Sequence, residues 1–279
     1  MSESQTLPPE QPTILSFTGP DAVRFLNGQI TQNVSDLGNN ALSACVTDAK
    51  GRLQFFIKIF AGSETDSIWI SCPQNQSEGL RDRLERYLIA DEVEIDELTN
   101  HWTLIHSSAS NPDSSFSRNA KGPFGDGHDL WWKLDDIPDG KSISTDHAER
   151  LRIAARIPVW GSELNADLLP PEAGLDQYAI SYQKGCYIGQ EVLSRIKTAG
   201  KLNRRLAAFR IDAPANAGDA LVIADREIGK LTSYITADPT SNDPNALGYL
   251  SKKGFDASKF QVIDSTGAVQ GTATFHTWA

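Results

Sequence analysis

Lys184-Gly185-Cys186-Tyr187-Ile188-Gly189-Gln190-Glu191 is the stretch of this chain densest in chemistry. Two glycines bracket a cysteine and a tyrosine, and glycine lets a backbone turn with positive φ or approach a ligand closely. The residues behind it, 191–197, can open a helix with Glu191 in its first turn. A thiol just ahead of a helix N-terminus meets the positive end of the helix dipole, and Lys184 lies two residues away. Both features favour the thiolate and raise its reactivity. The same pattern equally suits a small buried hydrophobe in a tight turn, because free cysteine is most often simply buried. The local pattern leaves these two readings even.

Two neighbouring features point to a small anionic or heterocyclic ligand. Six basic residues (Lys184, Arg195, Lys197, Lys201, Arg204 and Arg205) face a single acidic one, Glu191, in a chain of formal net charge −10. That contrast favours a site for an anionic small molecule, although a solvated helix face would look the same. Upstream, Leu169-Pro170-Pro171-Glu172-Ala173-Gly174-Leu175 holds a carboxylate between prolines and a glycine. It is well placed to accept two N–H bonds from a heterocycle, and it also reads as a surface loop.

The rest of the chain has α+β character. Periodicity predicts a strand over 13–18, a helix over 21–30, a hairpin from 42–47 and 52–60 around Asp48-Ala49-Lys50-Gly51, and a strand over 67–72. An amphipathic helix is expected over 77–89, followed by strands over 92–95 and 102–106. This order suits an α+β layer rather than a parallel doubly wound sheet. Residues 1–12 read as a polar, proline-containing tail, and 107–129 as a long loop. A helix over 146–157 is limited by Pro158. Beyond a boundary near 202, short strands at 206–211, 220–224, 228–237, 246–250, 260–264 and 271–276 predict a small β-barrel.

Composition narrows the functional classes. With 39% hydrophobic and 22% charged residues the chain is an ordinary globular protein. No apolar run approaches the roughly 20 residues of a membrane helix, and the first ten residues lack the basic start and apolar centre of a secretory signal. A cytoplasmic protein without a membrane partner is expected. An excess of acid, 36 acidic residues against 26 basic, makes direct nucleic-acid binding unfavourable. Three cysteines (Cys45, Cys72 and Cys186) without a Cys-x-x-Cys pair exclude a four-cysteine cluster held within one chain. The five histidines show no metal-ligand spacing, so no metal ligands are expected.

The motif at 184–191 resembles the signature of YgfZ-type proteins, folate-dependent factors that support iron–sulfur enzymes and share a fold with the glycine-cleavage aminomethyltransferase. Phe25-Leu26-Asn27-Gly28-Gln29-Ile30-Thr31 is similar to that family's early helix motif, and Asp48-Ala49-Lys50-Gly51-Arg52-Leu53 to its hairpin turn. The segments 84–93, 152–161, Gly229-Lys230-Leu231-Thr232-Ser233 and Leu247-Gly248-Tyr249-Leu250 continue the resemblance over roughly 13–250.

The resemblance implies an α+β fold of three subdomains in a ring, with the C-terminal small β-barrel as one of them. The folate-binding region would span 13–201, with 13–48 and 142–201 as the first subdomain and 49–141 as the second, and the barrel would span 202–279. Tetrahydrofolate or a one-carbon derivative is the implied cofactor. Glu172 matches the acidic residue that grips the pteridine in the aminomethyltransferases, and Arg204 matches an Arg near the folate site. Cys186 matches the cysteine on which YgfZ-type function depends, and Lys184, Tyr187, Gln190 and Glu191 match its neighbours. The aminomethyltransferases carry an Asp-Asp pair after the hairpin turn, where this chain has Phe55 and Phe56. Phenylalanine cannot accept a proton, so aminomethyl transfer is expected to be absent. The leading expectation is a folate-binding accessory protein whose partners are iron–sulfur client enzymes or assembly factors, with any support of tRNA modification indirect. A folate-dependent one-carbon transferase and a non-catalytic interaction protein are the alternatives.

Overall fold

The structure is a computed structural model that describes residues 4–64, 66–138 and 142–279. The chain forms two compact units, Met1–Thr145 with Asp176–Ser194, and Asp146–Leu175 with Arg195–Ala279.

The first unit opens with β1 (Thr13–Thr18), α1 (Ala22–Gln29), the hairpin β2 (Leu42–Thr47) and β3 (Leu53–Ala61), then β4 (Ile68–Cys72), α2 (Ser77–Glu85) and β5 (Glu94–Glu97). The strands form one antiparallel sheet in the order β2-β3-β4-β1-β5. Alternation along the strands sends Leu15, Phe17, Val46, Ile57, Ile59 and Ile70 to one face, where Phe25 and Leu26 of α1 and Leu80 and Leu84 of α2 cover them. The opposite face carries Ile14, Phe60 and Trp69. It meets a second sheet of β6 (Trp102–Ser107), β7 (Phe116–Gly122) and β8 (Gly125–Lys133), ordered β6-β8-β7. The junction is aromatic: Phe60 stacks on Trp131 at 5.0 Å between ring centroids, and Trp69 meets Trp102 edge-on at 5.4 Å. Such pairs add about 0.5–1.5 kcal/mol each beyond area burial.

The second unit holds most of α3 (Thr145–Ala154) and a six-stranded closed barrel of β9 (Arg204–Ile211), β10 (Ala220–Ile223), β11 (Arg226–Tyr234), β12 (Ala246–Ser251), β13 (Lys259–Ile263) and β14 (Val269–Trp278). The order β10-β11-β12-β9-β14-β13 closes through pairing of β10 with β13. Phe209 and Phe260 meet edge-on at its centre, with Ile211, Leu221, Leu250 and Val262 around them. Helix α4 (Gln190–Ala199) precedes the barrel in sequence. Within this unit Glu163 is fully buried, and it is satisfied by Arg152 at 3.0 Å, Ser233 at 2.6 Å and Thr232 at 2.8 Å. The α+β class and the C-terminal barrel expected from sequence are both present.

Two expectations are corrected. The supposed loop over 107–129 contains β7 and the first five residues of β8, a hairpin turning at Gly122-Pro123-Phe124-Gly125. Its residues are largely polar because β7 is half-exposed, and only Ala120 of that strand is fully buried. The supposed tail is also ordered from Gln5 to Glu10. Leu7 N–H donates to His106 O at 2.9 Å, and Glu10 and Leu104 exchange backbone bonds of 2.8 Å. Prolines 8 and 9, which have no N–H to give, are tolerated because the segment runs as an edge. Residues 1–3 of that tail lie outside the described residues.

A buried charge group lies among the elements of the first unit. Asp129 on β8 is wholly buried, with Oδ2 accepting from Lys58 Nζ at 2.6 Å and Oδ1 from His106 Nδ1–H at 2.8 Å. Burial alone would raise its carboxyl. The Lys58 ammonium and the hydrogen bonds from His106 and Lys58 outweigh burial and hold it below the usual carboxylate range. This contribution is therefore fully present above the unfolded value of about 4 and is lost as pH falls through the lower folded value. Asp129→Asn should cost about 3 kcal/mol in urea unfolding, the lower end for a broken buried pair because Lys58 reaches solvent. It should also flatten the acid limb of the stability profile.

Candidate functional site

In the first unit, the segment 184–189 is a loop anchored at both ends. Lys184 Nζ donates to Ile30 O at 2.9 Å and to Gln32 O, and lies 5.5 Å from the Tyr187 ring centroid. The ammonium that sequence places near the thiol is thus held by two carbonyls just beyond α1. Burial pushes its pKa down to about 8. At the other end Gly189 has φ +88°, and a Cβ there would lie 2.6 Å from both Asp48 O and Thr47 Oγ1. Only glycine fits where the loop crosses the β2–β3 turn.

Between these anchors Cys186 is exposed, while Cys45 and Cys72 are buried. Burial pushes both of those thiols up to about 12, with Glu97 adding to the effect at Cys72. Cys186 is therefore the one cysteine open to solvent reagents. Tyr187 turns inward against Ile180 and Leu193, and its hydroxyl is buried without a hydrogen-bond partner. Burial is the first cause that raises its phenol above the ordinary range. Gln190 starts α4 half-exposed, and Glu191 stands exposed in its first turn.

The second unit carries the other expected residues. Pro170–Ala173 is a single 3₁₀ turn, closed by Gly174 at φ +73°. Glu172 is buried there, and its Oε2 accepts from the Leu169 N–H at 3.2 Å and from Arg204 Nε at 2.9 Å. Arg204 opens β9 and lies 5.3 Å from the Tyr249 ring centroid, and the Tyr249 hydroxyl donates to Glu163 O at 3.0 Å. The structure thus brings Glu172 and Arg204 into one ion pair, with Cys186, Lys184 and Tyr187 on one loop of the other unit. Three of the six basic residues counted along 184–205 are separately engaged: Lys184 is held by carbonyls, Arg204 by Glu172, and Arg205 covers Trp278 at 4.4 Å.

Phe55 packs into the helix-covered core of the first sheet, and Phe56 pairs across from Cys45. No carboxylate stands at either position. Of the loop's partners, Gly28 and Ile30 fall within the early helix motif, whereas Gln32, acting through its carbonyl, and Thr47, acting through its hydroxyl, lie outside the motifs. Among the described residues no three His, Cys, Asp or Glu side chains gather as metal ligands, and no helix is long and apolar enough to cross a membrane.

No family model matches the chain. It is 36% identical over 105 residues to a putative chloroplastic transferase of Arabidopsis thaliana, covering 38% of this chain and 24% of that protein. It is 26% identical over 228 residues to the tRNA-modifying protein YgfZ of Cronobacter sakazakii, covering 69% of this chain and 67% of that one. It is 22% identical over 267 residues to a mitochondrial iron–sulfur cluster assembly factor IBA57 homolog of Pyricularia oryzae, covering 88% of this chain and 66% of that one. The chain thus spans about a quarter of the first of these relatives and about two thirds of the other two. The structure matches the glycine cleavage system aminomethyltransferase T of Bartonella henselae with a TM-score of 0.81, covering 98% of this chain and 85% of that one at 14% identity. The resemblance read from the motif extends over most of the chain, and the fold is that of the aminomethyltransferase.

The lowered Lys184 pKa fixes the sign of a pH effect. Its folded value, about 8, lies below the unfolded value of about 10.4, so between the two the unfolded state binds more protons. The stability that Lys184 contributes should rise as pH climbs from about 8 towards 10 and be lost as pH falls through 8. Urea midpoints of wild type and Lys184→Met, compared across that range, should diverge in favour of the wild type as pH rises.

Proposed function

We propose that this YgfZ-type chain binds tetrahydrofolate and serves as an accessory protein for iron–sulfur cluster assembly or repair, supporting tRNA modification indirectly, with Cys186 as its working thiol. The observation that carries this reading is the presentation of Cys186. It alone of the three cysteines is exposed, on a loop tied down by Lys184 and Gly189. An exposed, anchored thiol suits transient ligation of iron or sulfur delivered to a client enzyme. The names of the YgfZ and iron–sulfur assembly relatives support the same role.

The residues present fit a folate. Glu172 is a buried carboxylate oriented by Arg204, of the kind that accepts N–H donors of a heterocycle. In the other unit, the Tyr187 hydroxyl is buried without a hydrogen-bond partner. Tetrahydrofolate would supply a heterocycle able to carry a one-carbon unit. Glu172 and Arg204 would hold it; Lys184, Tyr187, Gln190 and Glu191 are the further residues that the family resemblance implies. A one-carbon transferase reading is favoured by the fold and by the name of the Arabidopsis relative. Against it, Phe55 and Phe56 cannot take part in proton transfer.

Calorimetric titration of tetrahydrofolate into wild type and Glu172→Ala tests the ligand. Saturable binding by the wild type, weakened about tenfold or more in the variant, is expected from loss of a charged hydrogen-bond partner. Absence of binding to both proteins would overturn the folate reading. Cys186→Ser should fold normally, yet fail to sustain iron–sulfur enzyme activity under oxidative stress in a strain lacking the native gene. Full activity of that variant would remove the thiol from the mechanism. Release of ammonia from an aminomethylated carrier in the presence of tetrahydrofolate would favour the transferase.

A further inference from the structure

The Cys186 loop is held from behind by side chains that no motif names. Thr47, fully buried at the end of β2, donates its hydroxyl to Ile188 O at 2.6 Å. The Ile188 N–H reaches Gly28 O at 3.3 Å. The carbonyl of Thr47 in turn accepts from Arg83 Nη2 at 3.2 Å. Arg83 lies on α2 and is buried. Its Nε donates to Gln54 Oε1 at 2.6 Å and its Nη1 to Gln29 Oε1 at 3.0 Å, and its guanidinium lies 4.3 Å from the Tyr87 ring centroid. One planar group thereby joins α1 through Gln29, β2 through Thr47 and β3 through Gln54.

A guanidinium has five donors in a rigid plane, so fixing three of them fixes the relative placement of their acceptors. An aliphatic residue could fill this volume without the desolvation of a charge, and it would tie none of the three elements together. Here the element held most directly is the strand end that carries Thr47. Its hydroxyl faces Ile188, and the turn that follows it sets the narrow gap crossed by Gly189. Cys186 stands between that anchor and Lys184.

We propose that Arg83 and Thr47 are positioning residues of the Cys186 loop: Arg83 holds Thr47, and Thr47 holds Ile188, so that the thiol is presented in one place. The functional meaning of this inference rests on the reading of Cys186 as the working thiol. The geometric part does not, and it has its own readout.

Hydrogen exchange of the full-length protein, followed by mass spectrometry on a peptide covering 184–190, tests the relay, because exchange reports local opening. Thr47→Val, nearly the same shape without the hydroxyl, should speed exchange in that peptide about fivefold, the order expected for one hydrogen bond. Thr47→Ser, which keeps the donor, should stay near the wild-type rate. Arg83→Met touches no residue of the peptide, yet it should accelerate the same peptide while β9 and β13 keep their protection. If Arg83→Met does not fold, the Thr47 pair decides alone. Unchanged exchange in 184–190 for Thr47→Val, or acceleration spread evenly through the barrel, would overturn the proposal. If the peptide loosens as expected while Cys186→Ser retains full activity, the thiol reading fails and the positioning relay stands.

Discussion

No side chain can be accommodated where Gly189 passes the turn between β2 and β3, and the local architecture follows from that constraint. The backbone of 188–189 lies against Asp48 O and Thr47. Gly51 in the same turn has φ +73°, and a Cβ on it would press Val192 of α4 at 3.2 Å. Two glycines therefore let a loop and a hairpin touch backbone to backbone. Once that contact exists, the next residues in either direction are determined: Leu193 goes into a small core with Tyr187 and Ile180, and Cys186 is left outside. The exposure of the thiol is a consequence of where its neighbours are buried.

Three buried carboxylates of this protein are each shared among several partners. Asp129 serves Lys58 and His106, Glu163 serves Arg152 with Ser233 and Thr232, and Glu172 serves Arg204 with the Leu169 N–H. In each case one carboxylate joins residues far apart in sequence, which specifies geometry as well as offsetting desolvation. Glu172 differs from the other two in that its partner, Arg204, is more than a third exposed. A group competing for Glu172 would meet a cation that can move into water; Lys58 beside Asp129 also reaches solvent, whereas Arg152 beside Glu163 is enclosed.

The barrel was legible in the sequence because its strands are short and bounded by turn residues such as Gly218-Asp219 and Asp225, the latter held at φ +59°. The first hairpin was legible from Asp48-Ala49-Lys50-Gly51 for the same reason. The hairpin of β7 and β8 was not, because Phe-Ser-Arg-Asn-Ala-Lys-Gly looks like solvent-exposed turn until Trp131 and Phe60 are placed against its other face. Apolar periodicity also carried the helix α2 too far: the pattern continues through Leu88, but the helix ends at Glu85 and Ile89 is 87% exposed. Cys186, Glu172 and Arg204 were singled out as candidates through the motif and the family resemblance. Thr47 and Arg83 could not be, since their partners are two carbonyls and the side chains of Gln29 and Gln54, which lie far apart in sequence.

The aromatic junction of the two sheets has an optical consequence. Of the six tryptophans, Trp69, Trp102, Trp131 and Trp132 lie in the first unit and only Trp160 and Trp278 in the second. Three of those four stand within the same ring cluster. Intrinsic fluorescence is therefore weighted towards the unit that presents Cys186, and far-ultraviolet dichroism also samples the barrel strands. For a chain that melts as a single cooperative body the two signals must superimpose, and any separation between them would reveal the barrel and the thiol-bearing unit coming apart on their own.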